Sequence, residues 1–156
     1  MWKMAELQSA PCHLRFDPQW DEDLPPVVGS QEDLERVFLN IFMNAIDAGG
    51  ENGTVMVQTR FVRAENMVEI SITDDGPGIP EDQRGRIFDA FYTTKEKGTG
   101  LGLSVCQSII LQHKGKLEVR SQTGWGATFS IKLPVLQDEG IAAHNRRRSP
   151  LEGIHP

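Results

Sequence analysis

Asn40, Asn44 and Asp47 stand at i, i+4 and i+7, so on a helix they line one stripe. Asn and Asp compete for backbone hydrogen bonds and are poor choices inside a helix. Three of them on one stripe make either a solvated polar face or a set of oxygen ligands. The second option suits a hard cation such as Mg²⁺ with phosphate oxygens around it. Asp74-Asp75-Gly76-Pro77-Gly78 forms a second constellation. Asp-Gly and Pro-Gly are turn dipeptides, so the plain reading is a strand-ending turn. The chemical reading is a carboxylate facing a pocket, accepting from an amino group such as adenine's. A charge-assisted bond of that kind contributes roughly 1.5–3 kcal/mol. The third constellation is Gly98-Thr99-Gly100-Leu101-Gly102-Leu103, with Lys95 just before it. It matches neither the GxxxxGK[ST] loop nor the dinucleotide GxGxxG spacing. It is either a flexible hinge or a loop whose backbone amides approach phosphate at a helix N-terminus, with Lys95 as a point charge.

Other reactive residues assemble less well. His13, His113, His144 and His155 show no metal spacing, and none pairs with Cys12 or Cys106 as a nucleophile. Phe88, Phe91 and Tyr92 read as packing anchors for a lid, and Arg146-Arg147-Arg148 as part of a solvated tail.

The elements that must position these groups are legible in the periodicity. Leu34, Val37, Phe38, Ile41, Phe42, Ala45 and Ile46 fall on one helical face. Ser30 with Asp33 resembles a capping signal ahead of that run, and Gly49-Gly50 end it. Upstream, His13 to Phe16 alternates like a short strand, Pro18 marks a turn, and Val27-Val28 forms a second short strand. Downstream, Val55 to Phe61 and Val68 to Ile72 alternate around Ala64-Glu65-Asn66 as a hairpin. Glu81 to Arg86 makes a helical turn, and Leu103 to His113 a helix with Val105, Cys106, Ile109 and Ile110 inward. Leu117-Val119 and Phe129 to Leu133 make a last hairpin through Gly124-Trp125-Gly126. Hairpins rather than βαβ crossovers predict an α+β protein, a two-layer α/β sandwich. Its mixed, mostly antiparallel sheet is covered by helices on one face. One domain over residues 1–135 and a disordered tail over 136–156 are expected.

Composition narrows the function classes. Lys+Arg number 16 against 22 Asp+Glu, a net charge of −6 that argues against a generic nucleic-acid partner. No apolar stretch approaches the ~20 residues of a membrane span, and the start lacks a signal-peptide pattern. Two distant cysteines suggest no disulfide framework, so a cytoplasmic protein is expected.

Taken in order, the three constellations resemble the Bergerat-fold ATP-binding domain. Sensor histidine kinases, DNA gyrase, a heat-shock chaperone and mismatch-repair ATPases share that domain. The resemblance runs from about Leu14 to Pro134. Asn40-x-x-x-Asn44-Ala45 looks like the asparagine box and Asp74-x-Gly76-x-Gly78 like the first glycine box. Phe88-x-x-Phe91 looks like the phenylalanine box, Gly98 to Leu103 like the second glycine box, and Gly126-Ala127-Thr128 sits in the place of a third. Ile87 to Lys95, leading into that second glycine box, is similar to the histidine-kinase branch, particularly nitrogen-regulatory and sporulation-type sensors. The resemblance implies roles. Asn40 would ligate Mg²⁺, Asn44 would contact the phosphates, and Asp47 would sit beside the nucleoside. Asp74 would accept from adenine while Gly76 and Gly78 close on the base. Lys95 and the amides of Gly98, Thr99, Gly100, Leu101, Gly102 and Leu103 would hold the β- and γ-phosphates, and Thr128 would lie near the adenine end. Asn40 and Lys95 would be the catalytic pair.

Two departures carry weight. Arg36 stands where the family often has a glutamate or glutamine that orders Mg²⁺ or water, with Glu35 beside it. His13, in a proline-rich strand-like segment, is not the phospho-accepting histidine of such kinases. The implied function is therefore the ATP-binding catalytic half of a sensor histidine kinase. It would act on a histidine of a separate dimerisation domain and work with a response regulator. The isolated domain is expected to be monomeric, either free-standing or the cytoplasmic part of a membrane sensor. The alternatives are a non-catalytic nucleotide-binding docking module and an anti-sigma-type serine kinase or bare ATPase of the same fold.

Overall fold

The computed structural model describes residues 14–95 and 98–136. Cys12, His13, His144, His155, Arg146-Arg147-Arg148 and the expected disordered tail from residue 137 on lie outside the described residues. The elements run β1 (Arg15–Gln19), α1 (Gln31–Gly49), β2 (Thr54–Val62), β3 (Met67–Asp74), α2 (Glu81–Arg84), α3 (Gly102–Gln112), β4 (Lys116–Ser121) and β5 (Ala127–Pro134).

Helix α1 forms where its apolar period demands a buried face. Ser30 caps it, its side-chain oxygen accepting from the Asp33 N–H at 3.3 Å, which satisfies one of the four orphan amides of the first turn. Val37, Ile41 and Ala45 lie fully inside, with Leu34, Phe38, Phe42 and Ile46 half-buried beside them. The helix stops at Gly50, whose φ of 68° few other residues adopt.

The sheet has the order β1-β2-β3-β5-β4, parallel between β1 and β2 and antiparallel elsewhere. Period-two alternation gives it one apolar and one polar face. Val55, Val57, Ile72, Phe129, Ile131 and Leu133 pack under α1 and under Cys106, Ile109 and Ile110 of α3. The opposite parity carries hydroxyls paired across strands, Ser71 with Ser130 at 3.3 Å and Thr73 with Thr128 at 2.9 Å. This is the two-layer α+β arrangement expected, with one mixed sheet and its helices on one face.

Residues 14–30 depart from expectation. Val27-Val28 is no strand: Val27 makes a single antiparallel bridge to Val135, braced by Leu136 N–H donating to Pro26 O. Pro18 lies inside β1 rather than at a turn, tolerated because an edge strand leaves one side of its backbone unpaired. Asp21 instead ties this segment down, its carboxylate accepting from the Phe61 N–H at 3.1 Å. No helix among the described residues is long and apolar enough to cross a membrane.

Candidate functional site

The last two turns of α1, the end of β3, the segment from Gly78 to Lys95 and the start of α3 enclose a cleft of about 650 Å³. It exists because two hairpins and two helices end at the same edge of the sandwich.

Asp74 lines the cleft and is 4% exposed. One oxygen, Oδ1, accepts from the Gly76 N–H at 3.0 Å and the Ala127 N–H at 3.3 Å. Its other oxygen, Oδ2, takes no hydrogen bond from another described residue, so it remains available to a donor in the cleft. Burial pushes the Asp74 carboxyl above its ordinary value, with the charge of Asp75 adding to the effect and the two amides opposing it. Asp75 turns away, its Oδ1 accepting from the Thr54 N–H at 2.8 Å, which ties the end of β3 to the start of β2. Gly76 does not line the cleft. It is glycine because a Cβ there would meet the Ala48 carbonyl of α1 at 2.6 Å, so it permits the close approach of β3's end to the helix.

On the other side, the polar stripe of α1 meets the N-terminus of α3. Asn44 Nδ2 donates to Asn40 Oδ1 at 3.3 Å. Lys95 Nζ donates to Asn44 Oδ1 at 2.9 Å and pairs with Asp47 Oδ2 at 2.7 Å. Gly102 brings α3 against this cluster, since a Cβ there would lie 2.6 Å from Asn40 Oδ1. Leu101 supplies no side-chain cap to α3, so the first amides of the helix stay open beside the stripe. Unsatisfied amides and the helix dipole favour an anion there. Two amide oxygens, from Asn40 and Asn44, fit a hard cation that keeps most of its ligands as phosphate and water.

Eleven of the fourteen residues singled out line the cleft: Asn40, Asn44, Asp47, Asp74, Gly78, Lys95, Gly98, Thr99, Gly100, Gly102 and Leu103. Gly76, Leu101 and Thr128 do not. Thr128 is one residue out of register. The cross-strand partner of Asp74 is Ala127, and alternation turns Thr128 to the far face, where it bonds Thr73. Ala127 and Phe129 are the β5 residues in the cleft. The aromatic cluster also divides differently. Phe88 packs on the core, whereas the Phe91 side chain is exposed, 76%, with φ of 68°, and only its main chain holds the loop, its N–H donating to Gly100 O at 2.9 Å. Tyr92 lines the cleft with the Arg86 guanidinium 4.5 Å above its ring. Arg36 is exposed and does not line the cleft. Cys106 is buried between the helices and its thiol is pushed up to about 11 by that burial, which leaves it inert.

Comparison with known proteins gives the family. Residues 29–137, more than half of the chain, match the model of the histidine kinase-, DNA gyrase B-, and HSP90-like ATPase family. The sensor histidine kinase ZraS of Salmonella typhimurium is 42% identical over 131 residues, covering 84% of this chain but only 28% of that kinase. The chain thus spans little more than a quarter of that relative's length. The catalytic domain of histidine kinase ThkA superposes with a TM-score of 0.71 at 34% identity, covering 79% of this chain and 80% of that one. ThkA is also known in complex with response regulator protein TrrA, where the TM-score is 0.67 at 30% identity over 81% of this chain and 36% of that one. Full-length ShkA in complex with AMPPNP gives 0.72 at 30% identity, covering 84% of this chain and 28% of that one.

Proposed function

This chain belongs to the family of histidine kinase-, DNA gyrase B- and HSP90-like ATPases, and from that membership we propose that it is the ATP-binding catalytic domain of a sensor histidine kinase. It passes the γ-phosphoryl group of ATP to a histidine on a dimerisation domain, in the cytoplasm, and a response regulator takes the group onward. The observation that carries the reading is one cleft with a buried, half-satisfied carboxylate at one end and open helix amides beside two asparagines at the other.

The chemistry follows from those two ends. Asp74 Oδ2 accepts from the adenine amino group, and the apolar wall of Ile79, Ile87 and Phe129 covers the base. Asn44, Lys95 and the first amides of α3 hold the phosphates, and Asn40 with Asn44 holds Mg²⁺. Bound there, Mg²⁺ would supply positive charge to the phosphates. Phosphoryl transfer asks the protein mainly for alignment and charge neutralisation, and these residues provide both. The terminal P–O bond breaks toward ADP as the unprotonated ring nitrogen of the acceptor histidine takes the phosphoryl group through its lone pair, and the proton on the other ring nitrogen passes to water. The histidine-kinase relatives support this acceptor over a serine.

Calorimetric titration of ATP and ADP with and without Mg²⁺, beside an Asp74→Ala control, tests the site. We expect binding that Mg²⁺ modifies and the substitution removes. Radiolabelled ATP with an added helical hairpin from a histidine kinase then tests the transfer. Acid-labile label on the hairpin is the expected result. Acid-stable label would point to the serine-kinase branch, and binding without transfer to a docking module.

A further inference from the structure

The cation beside the phosphate end is already engaged. Lys95 bridges Asn44 and Asp47 at 2.9 and 2.7 Å, and Asn44 in turn leans on Asn40 at 3.3 Å. Resting on the nucleotide reading above, we propose that Asp47 is an internal competitor for Lys95, which phosphate must win over before the cleft can hold a polyphosphate. Asp47 lies on the last turn of α1 and Lys95 on the segment leading to the second glycine loop, 48 residues apart. The pair therefore fastens that segment to the helix.

Its strength suits exchange. Both side chains are about half exposed, 47% for Lys95 and 51% for Asp47, so solvent screens the pair and it stays weak. A phosphate group offers more charge and more acceptor oxygens than one carboxylate, so it takes the ammonium when it arrives. Three changes are then coupled. Lys95 moves to the phosphates, Asn44 Oδ1 is released toward a cation, and the Lys95 segment loses its tie to α1. Asp47 is left unpaired near a polyanion, which lowers affinity further. More phosphate charge makes the exchange more favourable, so the order of displacement is ATP, then ADP, with adenosine leaving the pair intact.

The test is a double-mutant cycle on Mg·ADP affinity with Asp47→Asn and Lys95→Met, together with trypsin cleavage after Lys95 in the protein without nucleotide. Asp47→Asn is expected to tighten Mg·ADP by about two- to fivefold, the range of a screened surface pair. That gain should shrink in the Lys95→Met background to the part that is plain repulsion of phosphate by Asp47, and cleavage after Lys95 should quicken in Asp47→Asn. An equal gain in both backgrounds would reduce Asp47 to simple repulsion of phosphate and overturn the competition. Unchanged cleavage would show that Asp47 does not hold Lys95. Failure of the unaltered chain to bind Mg·ADP would instead count against the nucleotide reading, and the cleavage comparison would still decide the hold.

Discussion

Asp74 divides its work between two oxygens. Oδ1 closes the turn after β3 by accepting two backbone amides, and Oδ2 is left for a ligand. The cost of burying that charge appears in its raised pKa, caused first by desolvation. The sign follows. A carboxyl whose pKa is higher in the folded state stabilises the fold most when protonated, below its ordinary range, and loses that contribution as pH rises through the raised value. At neutral pH the ionised form is therefore a stability cost held for function. Asp74→Asn keeps an acceptor at the Oδ1 position and places an N–H donor where Oδ2 was. We predict that it weakens ATP binding by roughly tenfold to over a hundredfold, the worth of a charge-assisted bond, while leaving the neutral-pH melting temperature unlowered. Calorimetry and a thermal melt on the same sample check both halves. In the parent chain, ATP affinity should fall as pH drops through the raised Asp74 value, earlier than for an ordinary carboxylate, which a pH series of titrations would reveal.

Helix α1 carries two stripes that cannot be exchanged. One stripe is Val37, Ile41 and Ala45 against the sheet, and the other is Asn40, Asn44 and Asp47 toward the cleft. Helix α3 lies against α1 along the same layer, and the two are joined at the end away from the cleft. There His113 Nδ1 donates to Ile109 O at 2.8 Å and Nε2 accepts from the Ser30 N–H at 3.0 Å, a pairing that needs the neutral ring. At the cleft end the approach depends on Gly102 having no side chain. Gly102→Ala drives a methyl group into Asn40, an overpacking that costs about 1–3 kcal/mol unless Asn40 moves. The expected outcome is loss of the Mg²⁺-dependent part of ATP affinity with the Mg²⁺-independent part kept, read from paired titrations.

Across the whole molecule, a net charge of −6 repels a polyphosphate at long range. On the proposed reading affinity must come from short-range groups, so the open amides of α3 and Lys95 would bear more than they would in a basic protein. Those groups are only as well placed as the core beneath them. Ile41, fully buried, joins α1 to the sheet one residue from Asn40. Ile41→Ala should cost about 2–5 kcal/mol and lower the melting temperature by roughly 10 °C. A differential scanning calorimetry trace would check it. At temperatures below the shifted midpoint, ATP affinity should change far less than in Asp74→Asn.

What local chemistry dictates was readable along the chain. The apolar period of α1, its Ser30 cap and its glycine stop are decided within a few residues by hydrogen-bond supply and helical geometry. So is the i, i+4, i+7 stripe, and eleven of the fourteen chosen residues do line one cleft. Pairing between distant strands was not readable, because strand alternation allows two registers and nothing local selects between them. That is why sequence alone points to Thr128 where Ala127 faces the cleft, and why Val27 forms a bridge instead of a strand. The direction of an aromatic side chain is likewise set by what covers it, which turned Phe91 outward and Tyr92 into the cleft. Sequence determined which groups exist and on which helical face. The partner of Lys95 and the free oxygen of Asp74 were decided only when β3, β5 and both helices met at one edge, since those contacts join residues about 50 apart.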